Sequence, residues 1–92
     1  MRIVTVRGSA TKLCPYRDER DHGTVKLTFA VAGDAPDLHD IAAGIAGYAN
    51  QQMSHEDFTA AVFTHWEDCR SASSTWHTAG LEVTVDVSRD EH

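Results

Sequence analysis

Between Thr24 and Val31 the chain alternates strictly, with Val25, Leu27, Phe29 and Val31 on one side and Thr24, Lys26, Thr28 and Ala30 on the other. A repeat of two is that of a half-buried strand, because successive side chains point to opposite faces. Leu81, Val83, Val85 and Val87 alternate in the same way against Glu82, Thr84 and Asp86, which predicts another strand over Leu81 to Val87, entered by a turn at Ala79-Gly80. Arg2 to Lys12 is β-branched and short-polar, with Gly8-Ser9 permitting a bend. This first strand should end near Leu13, since Pro15 cannot donate to a ladder. Arg17-Asp18-Glu19-Arg20-Asp21 then reads as an exposed charged loop, with Gly23 permitting the turn into the antiparallel second strand.

The repeat lengthens after Gly33-Asp34-Ala35-Pro36-Asp37, where Asp34 or Asp37 can cap a helix. Leu38, Ile41, Ile45 and Tyr48 recur at helical spacing. Gly44 and Gly47 each weaken such a helix by about 1 kcal/mol relative to Ala, so it needs tertiary support or close packing. Asn50 to Met53 interrupts the pattern, and Ser54 with Asp57 resembles a capping box that opens a second helix. Phe58, Val62, Trp66 and Cys69 fall on its apolar stripe, which makes Cys69 a core thiol. Arg70 to Ser74 reads as a polar loop, Thr75 to Thr78 as a short strand, and Ser88 to His92 as a frayed tail.

Strands segregated from helices in the order β-β-α-α-β-β predict a single α+β domain over residues 1–92, an antiparallel sheet with both helices on one face. A chain of 92 residues buries a modest core, which favours a homo-oligomer. No apolar run reaches the roughly 20 residues that span a bilayer, and the N-terminus lacks the features of a signal peptide. Two cysteines make no disulfide framework, so a reducing, cytoplasmic setting is expected. A net charge of −6 disfavours broad binding to a phosphate backbone, although an oligomer could gather Arg2, Arg7, Lys12, Arg17 and Arg20 into a local basic patch.

The candidate chemistry sits at two places. Cys14 in the turn Leu13-Cys14-Pro15-Tyr16 is followed seven residues later by Asp21, and His55-Glu56 lies 41 and 42 residues beyond the cysteine. A thiolate attacks carbon, and Arg17, Arg20 and His22 are near enough in sequence to favour it over a free thiol with a pKa of about 8.5. Asp21 can supply a proton where such an addition places charge. Glu56 can accept two N–H bonds from a planar ligand or merely favour the helix macrodipole; His55 can bond or stack, as can Trp76 and Tyr16. The opposing interpretation is a solvated loop thiol and carboxylate. His22, His39, His65, His77 and His92 show no metal-binding spacing.

The Cys-Pro turn with its Asp, and the His-Glu pair in register without a gap, resemble the active-site segments of the 7-cyano-7-deazaguanine nitrile reductases, a tunnelling-fold family. The resemblance implies that Cys14 adds to the nitrile as a thioimide, that Asp21 is the general acid/base, and that Glu56 with His55 grips the base. It further implies subunits joined edge to edge into a ring, a pentamer or decamer, with sites between subunits. Where those reductases carry the lysines that serve NADPH, this chain has Asp37-Leu38-His39-Asp40-Ile41-Ala42-Ala43-Gly44, and added aspartates repel a 2′-phosphate. The Arg-Gly-Gly before their last strand stands here as Thr78-Ala79-Gly80.

Loss of the cofactor run resembles the QueF-like amidinotransferases, which release the thioimide with ammonia to give the archaeosine-type amidine. The expectation is therefore an enzyme without NADPH, using ammonia as co-substrate, on 7-cyano-7-deazaguanine free or in tRNA or DNA. The alternatives are an NADPH-dependent nitrile reductase, a non-catalytic deazapurine- or pterin-binding ring, and a zinc-dependent hydrolase using Cys14 with His22 or His55.

Overall fold

The structure is a computed structural model that describes residues 1–89. Two long strands, β1 (Arg2–Leu13) and β2 (Arg20–Val31), form a hairpin; the helices α1 (Leu38–Ala46) and α2 (His55–His65) follow; β3 (Cys69–Thr78) and β4 (Leu81–Ser88) form a second hairpin. The sheet is antiparallel throughout, in the order β1-β2-β3-β4. The α+β architecture and the element order are as expected.

Register assigns the two faces. Ala10 lies across from Gly23, Gly23 from Trp76, and Trp76 from Val83; Val6, Leu27, Ala72 and Val87 form a parallel row. These rows face the helices and carry the core, in which Leu27, Phe29, Phe58, Val62, Cys69 and Trp76 have no exposed surface. α2 lies over β3 and β4, and α1 over β1. The other face is mostly hydroxyl-bearing, with Thr24, Thr28, Ser73, Thr75 and Thr84 among its residues.

Several boundaries differ from expectation. β2 begins at Arg20, not Thr24, so Asp21 is a buried strand residue, and Gly23 lies inside the ladder instead of turning the chain. The turn is made by residues 14–19, closed by the Cys14 N–H donating to the Glu19 carbonyl at 2.9 Å. Arg70 to Ser74 is strand, not loop. Its inward positions are Ala72 and Ser74, and a bulge between Thr28 and Phe29 of the partner strand brings Cys69 onto the same face as Ala72. Cys69 is thus a core thiol on β3, because α2 already ends at His65.

Arg89 is anchored. Its guanidinium donates to the carbonyls of Cys69 and Glu67 at 2.8 and 3.0 Å and lies 5.1 Å from the Phe63 ring. The expected frayed tail therefore does not start at Ser88; its last three positions, 90–92, lie outside the described residues. Close packing accounts for Gly44 in α1, where a Cβ would come within 2.7 Å of the Trp66 ring. None of the described helices is long and apolar enough to cross a membrane.

Candidate active site

Leu13 joins the two chemical segments. It is the last residue of β1, and its backbone forms a parallel bridge with Gln52: the Leu13 N–H donates to the Gln51 carbonyl at 3.0 Å, and the Met53 N–H to the Leu13 carbonyl at 3.2 Å. Arg20, the ladder partner of Leu13, holds the same segment through its guanidinium, which donates to the Ala49 carbonyl and, at 2.8 Å, to Asn50 Oδ1. The stretch that interrupts the helical pattern thus docks on the end of the first hairpin. It delivers Ser54, which caps α2 by accepting the Asp57 N–H at 3.0 Å, and with it His55 and Glu56 in the first turn.

The spacing of Cys14 and Asp21 follows from the ladder. Lys12 pairs with Asp21 and Leu13 with Arg20, so the Cys14–Glu19 hydrogen bond carries the same register one step further. Cys14 therefore shares the helix-side face with Lys12 and is the diagonal cross-strand neighbour of Asp21. Such neighbours have Cα atoms about 7–8 Å apart, near enough for both groups to reach one small substrate. Cys14 is half-buried and free.

Lys12 takes a place that sequence reasoning missed. It is completely buried, its Nζ is 2.6 Å from Asp21 Oδ2, and it stands 4.9 Å from the centre of the Trp76 ring. It therefore contributes nothing to an exposed basic patch. The cations expected near Cys14 are placed otherwise: Arg20 is committed to residues 49 and 50, Arg17 is exposed, and His22 lies on the opposite face of the sheet. A signal was available, since Lys12 and Asp21 flank the Cys-Pro turn at positions that pair across a hairpin.

His55 stacks on Trp76, with ring centres 5.0 Å apart and planes within 13°. Trp76 is fully buried, edge-on to Phe58, so it is a support for His55 rather than an open platform for a ligand. A relay of hydrogen bonds fixes the pair. Trp76 Nε1 donates to Ser74 Oγ at 2.8 Å, and Thr59 Oγ1 donates to the His55 carbonyl at 2.7 Å, which leaves Ser74 to donate to Thr59 over 2.6 Å. Burial, reinforced by the Lys12 charge, lowers the His55 pKa from its usual 6.5, outweighing the upward pull of Asp21 and Glu56. The ring is therefore neutral at pH 7. Its Nδ1 is buried and has no hydrogen-bond partner among the described residues.

Glu56 is exposed beside it. Tyr16 is also exposed, at 89%. The structure thus gathers Lys12, Asp21, His55 and Trp76 by direct contact and sets Cys14 and Glu56 at their margin through register and sequence. No three His, Cys, Asp or Glu side chains among the described residues are arranged to hold a metal ion, so the zinc alternative has no ligand set there. An apolar cleft of about 450 Å³ between α1 and β1, lined by Leu38, Ile41 and Ile45 against Val6 and Ala10, contains none of these residues. It has the volume of a ligand site, and the polar residues of its lining are Arg7, Ser9 and Thr11.

No known family model matches the chain, and no curated protein does. Among solved structures, the crystal structure of the archaeosine synthase QueF-Like in the apo form is similar, with a TM-score of 0.82 over 92% of this chain and 90% of that one, at 16% identity. The chain has the tunnelling fold. At that identity the likeness is one of backbone architecture, and the tunnelling-fold neighbour carries the name of the branch that the Cys14 and His55 segments resemble.

Proposed function

We propose that the protein modifies a deazaguanine by converting the nitrile of 7-cyano-7-deazaguanine into an amidine. Cys14 adds through sulfur to the nitrile carbon, one π bond of the nitrile opens, and its nitrogen receives a proton, giving a thioimide. Ammonia then adds to the same carbon, the C–S bond breaks, and the products are the amidine and the free Cys14 thiol. Asp21 moves the protons, and Glu56 with His55 grips the heterocycle. The observation that carries this reading is the Leu13–Gln52 bridge, which brings the first turn of α2 against the hairpin end bearing Cys14 and Asp21.

Amidine formation is favoured over reduction by α1. Its N-cap is Asp37, which accepts the His39 N–H at 2.7 Å, and its first turn carries Asp40. Two carboxylates stand where the reductases place cations for NADPH, and a 2′-phosphate would be repelled there. The reading includes assembly: β1, apart from the Leu13–Gln52 bridge at its end, and β4 are the edge strands of the sheet, and joining them between copies into a ring, a pentamer or decamer, would satisfy both. It also includes a reducing, cytoplasmic setting in which Cys14 stays a thiol.

Intact mass measurement tests the proposal. After incubation with 7-cyano-7-deazaguanine, the wild-type protein gains the mass of one ligand and Cys14→Ala gains none. Ammonium then releases the adduct as amidine, whereas NADPH leaves it in place. Release by NADPH instead would make the protein a reductase. An adduct only when the base is supplied in RNA or DNA would place the step on nucleic acid, and no adduct with any of these in folded protein would overturn the proposal.

A further inference from the structure

The buried Lys12–Asp21 pair has no evident structural purpose. Removing two charges from water costs several kcal/mol, and buried ion pairs are often replaceable by apolar residues without loss of stability. Here the cation is fully buried and its carboxylate partner nearly so, 2.6 Å apart, on the hairpin end that carries Cys14. Asp21 is the hydrogen-bond acceptor for Lys12 Nζ among the described residues, and the Trp76 ring covers another side of the ammonium.

The ionisable groups around the pair are Cys14 and Glu19 on the same hairpin face, and His55 and Glu56 from α2; β3 contributes the uncharged Trp76. His55 is neutral, so Lys12 is the one permanent positive charge in this group. The ammonium engages Oδ2 of the Asp21 carboxylate at 2.6 Å and leaves the second oxygen to accept a proton.

We propose that Lys12 is a positioning residue that holds and aims the Asp21 carboxylate, so that Asp21 enters the reaction as a base. This rests on the Cys14 chemistry proposed above. Asp21 takes the thiol proton as sulfur bonds to the nitrile carbon, then transfers that proton to the nitrile nitrogen as the π pair localises there. Asp21 ends as a carboxylate and Lys12 keeps its three protons throughout, so no external acid is consumed in forming the thioimide.

The test compares Lys12→Gln and Lys12→Arg with wild type across pH 5–9, reading Cys14 alkylation by iodoacetamide and adduct formation with 7-cyano-7-deazaguanine. Lys12→Gln is expected to slow both about tenfold at neutral pH, with the ligand concentration at half-maximal rate unchanged. Lys12→Arg, which retains the charge, restores much of the loss. A folded Lys12→Gln protein with wild-type rates and profiles overturns the proposal.

The assigned Asp21 carboxyl carbon resonance of ¹³C-labelled wild-type protein gives a second measurement that needs no variant. It is expected at its ionised position wherever Cys14 reacts, and a protonated Asp21 at the pH of fastest alkylation overturns the proposal. Alkylation and resonance position involve no nitrile, so a protein that forms no adduct with the base, free or in nucleic acid, refutes the proposed function while leaving the role of Lys12 to these two readouts.

Discussion

Gly23 lies directly across the β2–β3 ladder from Trp76, and the indole occupies the space that a side chain at position 23 would need. A Cβ there would stand 2.5 Å from the Thr75 carbonyl oxygen and 2.6 Å from Trp76 Cε3. The ladder fixes the first of these atoms, and the His55 stack, the Phe58 edge and the Ser74 hydrogen bond hold the second. Gly23→Ala should therefore destabilise the protein by about 1–3 kcal/mol in urea unfolding, the usual cost of overpacking. Gly8→Ala is the control: it faces the same side of the sheet with nothing within 4 Å and should unfold as wild type or slightly later.

Ser74 accepts from the buried indole N–H and donates to Thr59, whose own hydroxyl proton goes to the His55 carbonyl. Ser74→Ala removes the centre of that relay and leaves a buried donor and a buried acceptor without partners. The expected loss is about 1–3 kcal/mol, with a shift in tryptophan emission, because the unsatisfied groups keep their full desolvation cost. An unchanged unfolding midpoint would mean that the relay does not hold Trp76.

The same residue shows why β3 was harder to read than its neighbours. β2 and β4 announce themselves through large apolar residues at every second position. β3 instead places Ala72 and Ser74 inward and Ser71, Ser73 and Thr75 outward, because Thr59 of α2 approaches Ser74 too closely for a larger side chain. A bulge beside Cys69 then breaks the remaining alternation. Small buried hydroxyls look like a loop until the helix above them is known. Lys12 was hidden for a related reason: a lysine near a turn is ordinarily solvated, and only the hairpin register reveals Asp21 opposite it. By contrast, the Ser54 cap was legible because its partner lies three residues away along the chain.

The two cysteines should differ sharply in reactivity. Cys69 has no exposed surface, and burial pushes its thiol up despite the opposing effects of backbone hydrogen bonding with Ser71 and Thr28 and of the nearby Arg89 charge. Cys14 is half-buried at the hairpin end. At pH 8 iodoacetamide should label Cys14 in the native protein, and peptide mapping should find Cys69 labelled only after denaturation. Labelling of Cys69 at a comparable native rate would show that the helix layer opens readily.

Arg20 offers a way to separate ligand grip from bond formation, because it holds residues 49 and 50 and thereby the approach to α2. Arg20→Met removes those hydrogen bonds and leaves the Leu13–Gln52 backbone bridge, so α2 stays docked but less firmly. Adduct formation at saturating 7-cyano-7-deazaguanine should then stay near the wild-type rate, while half-maximal rate requires several-fold more ligand, the pattern of lost uniform binding. A fall in the saturated rate alone would place Arg20 in the chemical step.

His55 should make folding stability depend on pH in a predictable direction. Its folded pKa lies below 6.5, through burial first and the Lys12 charge second, so between the two values the unfolded chain binds more protons than the native one. Stability therefore rises with pH in that window: the contribution of neutral His55 is fully present above about 6.5 and is lost as pH falls towards the folded value. His55→Phe keeps an aromatic ring on Trp76 and removes the titration. Urea unfolding of both proteins from pH 7.5 to 5 should show wild type losing ground to the variant as the pH drops, with His22, His39, His65 and His77 cancelling in the difference. Parallel curves would mean that the imidazole protonates as easily in the fold as outside it, and that the buried ammonium of Lys12 exerts no effective charge on this site.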